Sequence, residues 1–586
     1  MNILGIAGQD RDAAAALIRD GEVLAAIEEE KLSRIKHVGI SYAGGLPNRA
    51  IDFCLQRGGI DFDDLDYVAY YLEPYRLLRG SIGFRAARVL RGPSLLSLQA
   101  FPYYTVESLN NLRQHTKTRH LALARMALAR MALERLPGRN RFLAVNHQRA
   151  HGAGAFYSSE FERAAVIVMG NVGDMTTTAL MTGSSKGLRV LGEARFPNSI
   201  GMVYSAVTAA LGFGAAGEDH KTMWLAPTGQ NEFAGLFKDL VGVSKEGLPK
   251  VNLDYFDSSF RGGPALSDRF FKATGLKAGS KQSTVGSTHR NVAASLQARI
   301  DDVVCEIASR HRDRTGEEYL CLAGGVALNS LSNAAIEQRS GYKQIFVLPA
   351  AGNAGCSIGA ALHVWHEELG NRQRTYEMRH IFLGPQFGEG EIKSVLDNCK
   401  LQYEYFLTDD KLIAEVASLL SKNMIVGWFR GRMEFGPRTL GTRSILASPV
   451  TELMRDNLNS YIKHREDFRP FSAAVPEERA AEFFEPSGLT DFLQGVSKVK
   501  AGKLQTIPAA VFGDGIARVQ TVSRQTNPAF WKLIVKFGEI TGVPVLLNTS
   551  FNLFGEPVVS TPREAVRGFY CSGIDCLAIG NFLIKK

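Results

Sequence analysis

The chain predicts an α/β protein built from two units, and three observations predict it. Short apolar runs ending in Gly, Asn or Asp alternate with helical stretches through the first part of the sequence. Two such runs, YLCLAGGVALN from Tyr319 and QIFVLPAAGNAGCSIGAALH from Gln344, pass through glycine turns into helices. The polar stretch Glu367–Thr375 then reads as a linker, and Ile381–Pro385 starts a second unit. At 586 residues, 45% apolar and 22% charged, the chain is long enough for more than one core.

The opening residues read as three strands. Ile3–Ala7 is apolar, Gly8–Asp12 is a polar turn, Ala13–Arg19 is apolar, and Gly21 marks a hairpin into Val23–Ile27. The acidic run Glu28–Glu30 follows. Tyr67–Tyr71, Phe142–Val145 and Ala165–Met169 are further strands of the same kind. Residues 73–137 break the pattern with an Arg- and Leu-rich composition and predict a helical insertion. Within it, Leu121–Leu136 repeats LALARMALARMALER with apolar positions at helical spacing. That helix packs on its domain or at a dimer interface; Arg79, Arg85, Arg88 and Arg91 keep open a surface for a lipid-like substrate. Each glycine turn at a helix start is a favourable place for phosphate, because backbone N–H groups and the helix dipole point there.

The net charge of +9 sits in ordered-looking motifs and not in a tail, which favours small anions over nucleic acid as partners. Seven dispersed cysteines without a CxxC pair read as reduced thiols of a cytoplasmic protein. MNILGIAG reads as a strand and not as a secretion signal, and no apolar run approaches the roughly 18 residues of a membrane span.

The densest chemistry lies late in the chain. IVGWFRGRMEFGPRTLGTRSILASP carries Arg430, Arg432, Arg438 and Arg443 among glycines, and NLNSYIKHREDFRPFSAAV adds Lys463, His464, Arg465 and Arg469. Guanidinium forks on glycine turns suit multiply charged phosphates, since each binds two oxygens. The competing reading is ordinary ion pairing to Glu434, Glu466 and Asp467. Downstream, VPVLLNTSFNLFGEP puts Asn548, Ser550 and Asn552 at the end of a buried strand, on one side of it if the strand continues.

Lys463-x-Arg465 with Ser550-x-Asn552 resembles the KxR/SxN tetrad of the YrdC-like fold. GRMEFGPRTLGTRSIL, KHREDFRPF, DGIARVQTV and VPVLLNTSFN resemble the C-terminal half of the NodU/tobramycin carbamoyltransferase family. EEEKLSRIKH, SIGMVYSAVTAALGF, HKTMWLAP, CLAGGVALN and PAAGNAG extend the resemblance over nearly the whole chain. It implies an actin/hexokinase-like (ASKHA) carbamoyl-transfer domain over residues 1–374 and a YrdC-like carbamoyladenylate-forming domain over 375–586. It implies ATP with Mg2+, carbamoyl phosphate as co-substrate, and a small-molecule hydroxyl as acceptor in secondary-metabolite or glycan biosynthesis. Lys463 and Arg465 become catalytic candidates. Arg432, Arg438, Arg443, Arg469, Arg518, Asn548, Ser550 and Asn552 join them as binding candidates. A homodimer is implied as well.

Three departures fall in the transfer domain. His147 and His151, in HxxxH, match two of the family's metal ligands, for iron or zinc, and their i, i+4 spacing places both on one helix face. Gly170 and Asn353 stand where the family has its two ligand aspartates. Asp10 and Arg11 replace the family's histidines before Asp12, so Asp10 or Asp12 becomes the candidate base. Trp224 replaces a glycine and is expected to reshape the nucleotide pocket. Three readings follow: a carbamoyltransferase with an altered transfer site; a carbamoyladenylate-forming subunit that serves an intact homologue or another reaction; or a non-catalytic partner.

Overall fold

The computed structural model describes residues 1–40, 45–73, 113, 116–117, 119–123, 141–214, 217–256, 265–278 and 285–586. Most of the predicted insertion at 73–137, including Arg79, Arg85, Arg88 and Arg91, lies outside the described residues. The chain divides into two compact units. The first comprises Met1–Glu29 and His37–Met378; the second comprises Glu30–Lys36 and Arg379–Lys586.

The first unit is a duplication. Strands β1 (Asn2–Ala7), β2 (Ala14–Arg19), β3 (Glu22–Glu28), β4 (Tyr67–Tyr70) and β5 (Phe142–Ala144) form one sheet in the order β3-β2-β1-β4-β5. Strands β6 (Ala164–Gly173), β7 (Thr176–Ser184), β8 (Gly187–Arg195), β11 (Tyr319–Ala323) and β12 (Gln344–Val347) form another in the order β8-β7-β6-β11-β12. In each, the first three strands meander antiparallel and the last two join parallel. Parallel pairing needs long crossovers, and among the described residues helices such as Asn48–Gly58 and Ser330–Arg339 lie in them. Strands β9 (Val241–Val243) and β10 (Pro249–Val251) make a separate hairpin. This repeated strand order is the actin/hexokinase-like architecture that the sequence predicts.

Two helices meet beside the first sheet, His147–Ser158 and Cys356–His363. Their approach depends on glycine. A Cβ on Gly359 would lie 1.8 Å from the Ala150 carbonyl oxygen, and Gly154 itself sits against Gly359. Gly5 of β1 is equally close to Ser357, so the second helix is pinned between strand and helix.

The second unit is also α/β. Its nine-stranded sheet has the order β13-β21-β20-β14-β15-β19-β16-β18-β17. The strands are β13 (Glu404–Tyr405), β14 (Val426–Phe429), β15 (Arg443–Ala447), β16 (Ser472–Pro476), β17 (Ser497–Lys498), β18 (Ile516–Val522), β19 (Leu546–Ser550), β20 (Cys576–Ile579) and β21 (Phe582–Lys585). Period-two alternation separates two cores. Ile445, Ala447, Ala473, Val475 and Leu547 pack into one, while Leu446, Ala474 and Leu546 pack into the other. Helices Asp409–Ser421 and Pro528–Thr541 close the second face.

Glu30–Lys36 belongs to this unit because its cations satisfy buried carbonyls there. Buried Lys31 donates to the carbonyls of Glu434 at 2.8 Å and Gly436 at 3.0 Å. Arg34 donates to those of Val558 and Pro557 and pairs with Glu564 at 3.2 Å. A single boundary at 374/375 does not provide for this segment. Among the described residues, no helix is long and apolar enough to cross a membrane.

Candidate functional site

In the second unit, the helical turn Leu458–Lys463 ends on His464, whose φ of 44° turns the chain sharply. Lys463 is thereby aimed at the end of β19. Its Nζ donates to Asn552 Oδ1 at 2.6 Å, Ser550 O at 2.8 Å, Asn552 O at 2.9 Å and Ser550 Oγ at 3.3 Å. Ser550 Oγ in turn donates to Asn552 Oδ1 at 2.6 Å. The strand stops at Ser550, so Asn552 joins through the following turn and not by strand alternation. Arg465 donates from Nε to Asn459 Oδ1 at 2.7 Å and stacks on the Phe471 ring at 4.5 Å. All four residues of the tetrad are thus held in place by neutral groups.

Charge is concentrated around them. Loss of water lowers the Lys463 ammonium well below its ordinary pKa, and Arg465, Arg469 and Lys36 push it the same way. Burial lowers Arg518, with Arg438, Arg465 and Arg469 adding to the shift. Arg465 is lowered by desolvation and then by Arg469, while Glu466 opposes. Arg438 is pushed down to about 10 by desolvation and by Arg469. These cations repel one another, and a multiply charged anion placed among them reverses that balance. Lys36 was not foreseen, although it lies in the EEEKLSRIKH motif.

Other predicted binding residues are engaged elsewhere. Arg443 is fully buried; its guanidinium donates to the carbonyls of Arg430, Gly431, Thr442 and Pro385 and lies 3.8 Å from the Phe429 ring centroid. Arg432 donates to the carbonyls of Leu383 at 2.8 Å and Gly384 at 3.3 Å. Both hold the glycine-rich loop together, and the structure does not bring either into the Lys463 cluster. Asn548 is buried, donating to Gln520 Oε1 at 2.7 Å and to the Thr439 carbonyl at 3.1 Å, which fixes the backbone beside Arg438. Glu434 accepts the backbone N–H groups of Leu440 and Thr442, so it organises the loop through backbone bonds; Glu466 pairs with Arg469 at 3.6 Å.

In the first unit, the loop after β1 carries Asp10, Arg11 and Asp12. Asp10 reaches solvent, and partial desolvation still holds its carboxyl above the ordinary value. Burial acts the same way on Asp12, but a hydrogen bond from His37 and the charge of Arg11 outweigh it and leave that carboxyl lowered. His37 Nδ1 lies 2.6 Å from Asp12 Oδ1, and Arg11 Nε lies 3.2 Å from Oδ2. This His37–Asp12 pair escaped the sequence reading because the two residues lie on either side of two strands.

His147 and His151 share a face of their helix, with ring centroids 4.7 Å apart. Burial pushes His147 down to about 4 and His151 well below the ordinary range, so both imidazoles are neutral. Nδ1 of each is buried without a partner. The thiol of Cys356 completes a buried trio in which one ligand atom from each residue lies within 4.8 Å of the others. Two imidazoles and a thiol are a donor set that would suit a borderline metal ion, and the thiol is not among the ligands that the resemblance implies. Asp174, the first residue of the turn after β6, accepts the His147 backbone N–H at 2.8 Å and fixes the start of that helix. The ring of His147 rests on Gly173, where an added Cβ would meet it at 2.0 Å.

The first glycine turn is locked from behind. Asn329 caps the helix Ser330–Arg339 by accepting from Leu331 and Ser332. Gln297 Nε2 donates to Asp301 Oδ1 at 2.7 Å, Ser332 Oγ donates to the same oxygen at 2.6 Å, and Tyr204 donates to Gln297 Oε1 at 2.7 Å. Desolvation raises Asp301 to about 6. Trp224 is buried on the helix Asp219–Leu225.

A duplicated actin/hexokinase-like unit and an α/β unit with a buried cluster of cations share one chain. The chain belongs to the carbamoyltransferase family: residues 2–362 match the carbamoyltransferase N-terminus and residues 417–586 the carbamoyltransferase C-terminus. It is 35% identical to an uncharacterised protein of Synechocystis sp., over 100% of this chain and 97% of that one. It is 34% identical to the nodulation protein NolNO of Sinorhizobium fredii, over 98% of this chain and 79% of that one. It is 36% identical to the nodulation protein NolO of Bradyrhizobium diazoefficiens, over 75% and 79% respectively. Among solved structures, T. kodakarensis HypF is 13% identical with a TM-score of 0.34, covering 63% of this chain and 48% of that chain; the fold assignment rests on strand order instead.

Proposed function

We propose that the second unit makes carbamoyladenylate and that the first passes its carbamoyl group to the hydroxyl of a small molecule. The observation that carries this reading is the Lys463–Ser550–Asn552 cluster surrounded by Arg438, Arg465, Arg469 and Arg518. Atoms balance in two steps. Water releases phosphate from carbamoyl phosphate, and the resulting carbamate oxygen attacks the α-phosphorus of ATP, from which pyrophosphate leaves. ATP enters with Mg2+. The arginines neutralise charge on the departing pyrophosphate, and Lys463 orients the attacking group.

Transfer then needs a base for the acceptor hydroxyl. Asp12 is committed to His37 and Arg11, which suits it to orient His37 and to stabilise the imidazolium. His37 accepts the proton, the acceptor oxygen bonds to the carbamoyl carbon, and AMP leaves. Asp10, with its raised carboxyl, is the other base on this loop. A metal held at His147 and His151 would polarise the carbamoyl oxygen.

A second reading is favoured by Gly170 and Asn353, which remove two ligand carboxylates: the adenylate serves an intact homologue instead. The test is pyrophosphate release by the purified full chain with ATP, with and without carbamoyl phosphate. Release that depends on carbamoyl phosphate is expected. If none occurs and no adenylate can be trapped, the reading fails. Mass spectrometry of candidate acceptors then separates the two: only a transferring chain adds a carbamoyl group by itself.

A further inference from the structure

The helix beginning at Cys356 places a thiol beside two histidines whose Nδ1 atoms are buried without a hydrogen-bond partner. His147, His151 and Cys356 are 7%, 3% and 0% exposed, and one ligand atom from each lies within 4.8 Å of the others. A buried imidazole nitrogen without a hydrogen-bond partner is costly unless something binds there, and Nδ1 of each histidine is such an atom. The close helix contact at Gly154 and Gly359 makes the grouping rigid, since neither helix can back away without opening it. Gly173 lets β6 press against the His147 ring from the other side.

We infer that Cys356 is a metal ligand, and that with His147 and His151 it forms a His2Cys centre for a borderline divalent ion such as zinc. Tetrahedral bonds of about 2.1 Å to nitrogen and about 2.3 Å to sulfur set ligand atoms about 3.4–3.6 Å apart, so a small inward rotation of the three side chains completes the site. On coordination the Cys356 S–H bond breaks, its proton passes to solvent, and the sulfur–metal bond forms. The thiolate supplies a negative charge where Gly170 and Asn353 supply none. It also changes the preference: sulfur favours zinc or cobalt over hard, oxygen-seeking ions such as Mg2+. Three protein donors leave a fourth position open. The inference stands on the donor geometry of the first unit and not on carbamoyladenylate formation, so either can fail without the other.

The experiment is titration of the chelator-treated full chain with Co2+, followed by electronic absorption. A near-ultraviolet thiolate-to-cobalt charge-transfer band at one equivalent is expected. Cys356→Ser should lose that band and bind Co2+ at least about tenfold more weakly. Cys571→Ser, at an exposed cysteine, should leave both unchanged. Absence of Co2+ binding, binding without the band, or a band that survives Cys356→Ser would each overturn the assignment. If Cys356→Ser does not fold, X-ray absorption of the cobalt-loaded wild-type chain decides: a sulfur scatterer supports the ligand, and only nitrogen and oxygen overturn it.

Discussion

The two units treat buried charge in opposite ways. In the second, Lys463, Arg438, Arg465 and Arg518 are enclosed together; desolvation lowers the pKa of each, and a neighbouring arginine lowers it further. In the first, the corresponding depth holds neutral imidazoles and a thiol, and desolvation raises the carboxyl of half-buried Asp301 to about 6. Cations enclosed together store repulsion that a bound anion would relieve. Neutral imidazoles and a thiol enclosed together would instead suit a cation. Under the proposed function, activation and transfer would therefore sit in different electrostatic settings.

The largest effect that tests this division comes from Lys463. Lys463→Ala should lower carbamoyl phosphate-dependent pyrophosphate release about a hundred- to a thousandfold, the usual scale for one preorganised donor. His37→Ala should leave pyrophosphate release intact and slow carbamoyl transfer by about a hundredfold. Parallel assays of the two partial reactions give the comparison. Equal losses in both reactions for either variant would erase the division.

A second contrast lies within the basic unit. Arg443 gives its donors to backbone carbonyls, whereas Arg518 donates to the Leu493 carbonyl at 3.1 Å and lies among arginines that lower its pKa. Arg443→Met leaves several buried carbonyls unsatisfied and should cost about 2–4 kcal/mol in urea unfolding. Arg518→Met relieves repulsion, so unfolding should be unchanged or slightly harder, while ATP binding by calorimetry weakens about tenfold. Reversed outcomes would mean that the loop arginine and the cluster arginine have been confused.

These contrasts also show what a single sequence discloses. The strands Ile3–Ala7, Ala13–Arg19 and Tyr67–Tyr71 were legible from apolar runs and turn residues, and they fall within a residue of Asn2–Ala7, Ala14–Arg19 and Tyr67–Tyr70. The buried strand read within VPVLLNTSFNLFGEP begins only at Leu546, after Pro544, which lacks the N–H that a ladder needs. The Lys463–Asn552 pairing was legible as a motif. The separate fate of Arg432 and Arg443 was not, since arginines among glycines look alike until the fold decides which face carbonyls. Cys356 and the His37–Asp12 pair were hidden for another reason: their partners are distant in sequence, and pattern reading has no spacing to match.

A smaller effect tests the close packing behind the metal trio. Gly173→Ala would put a methyl group 2.0 Å from the His147 ring, so the imidazole must swing away. Overpacking of this kind costs about 1–3 kcal/mol. Cobalt binding should weaken along with stability. A variant that loses stability and keeps full cobalt affinity would show that His147 does not depend on β6 for its position.

The smallest expected effect concerns Asp301, whose carboxyl desolvation raises to about 6. The sign follows from proton binding. The folded state holds this proton to higher pH than the unfolded chain, so the protonated form's contribution is complete below the ordinary carboxylate range and is lost as pH rises through about 6. Asp301→Asn mimics the neutral acid. Both Gln297 and Ser332 donate to Oδ1, which an amide oxygen can replace without losing either bond. The variant should match the wild type near pH 4 and exceed it by about 1–2 kcal/mol at pH 7 to 8 in urea unfolding. A difference that does not change with pH would mean the carboxylate is tolerated there after all. The first unit would then accept buried negative charge, and its contrast with the second would rest on the metal trio alone.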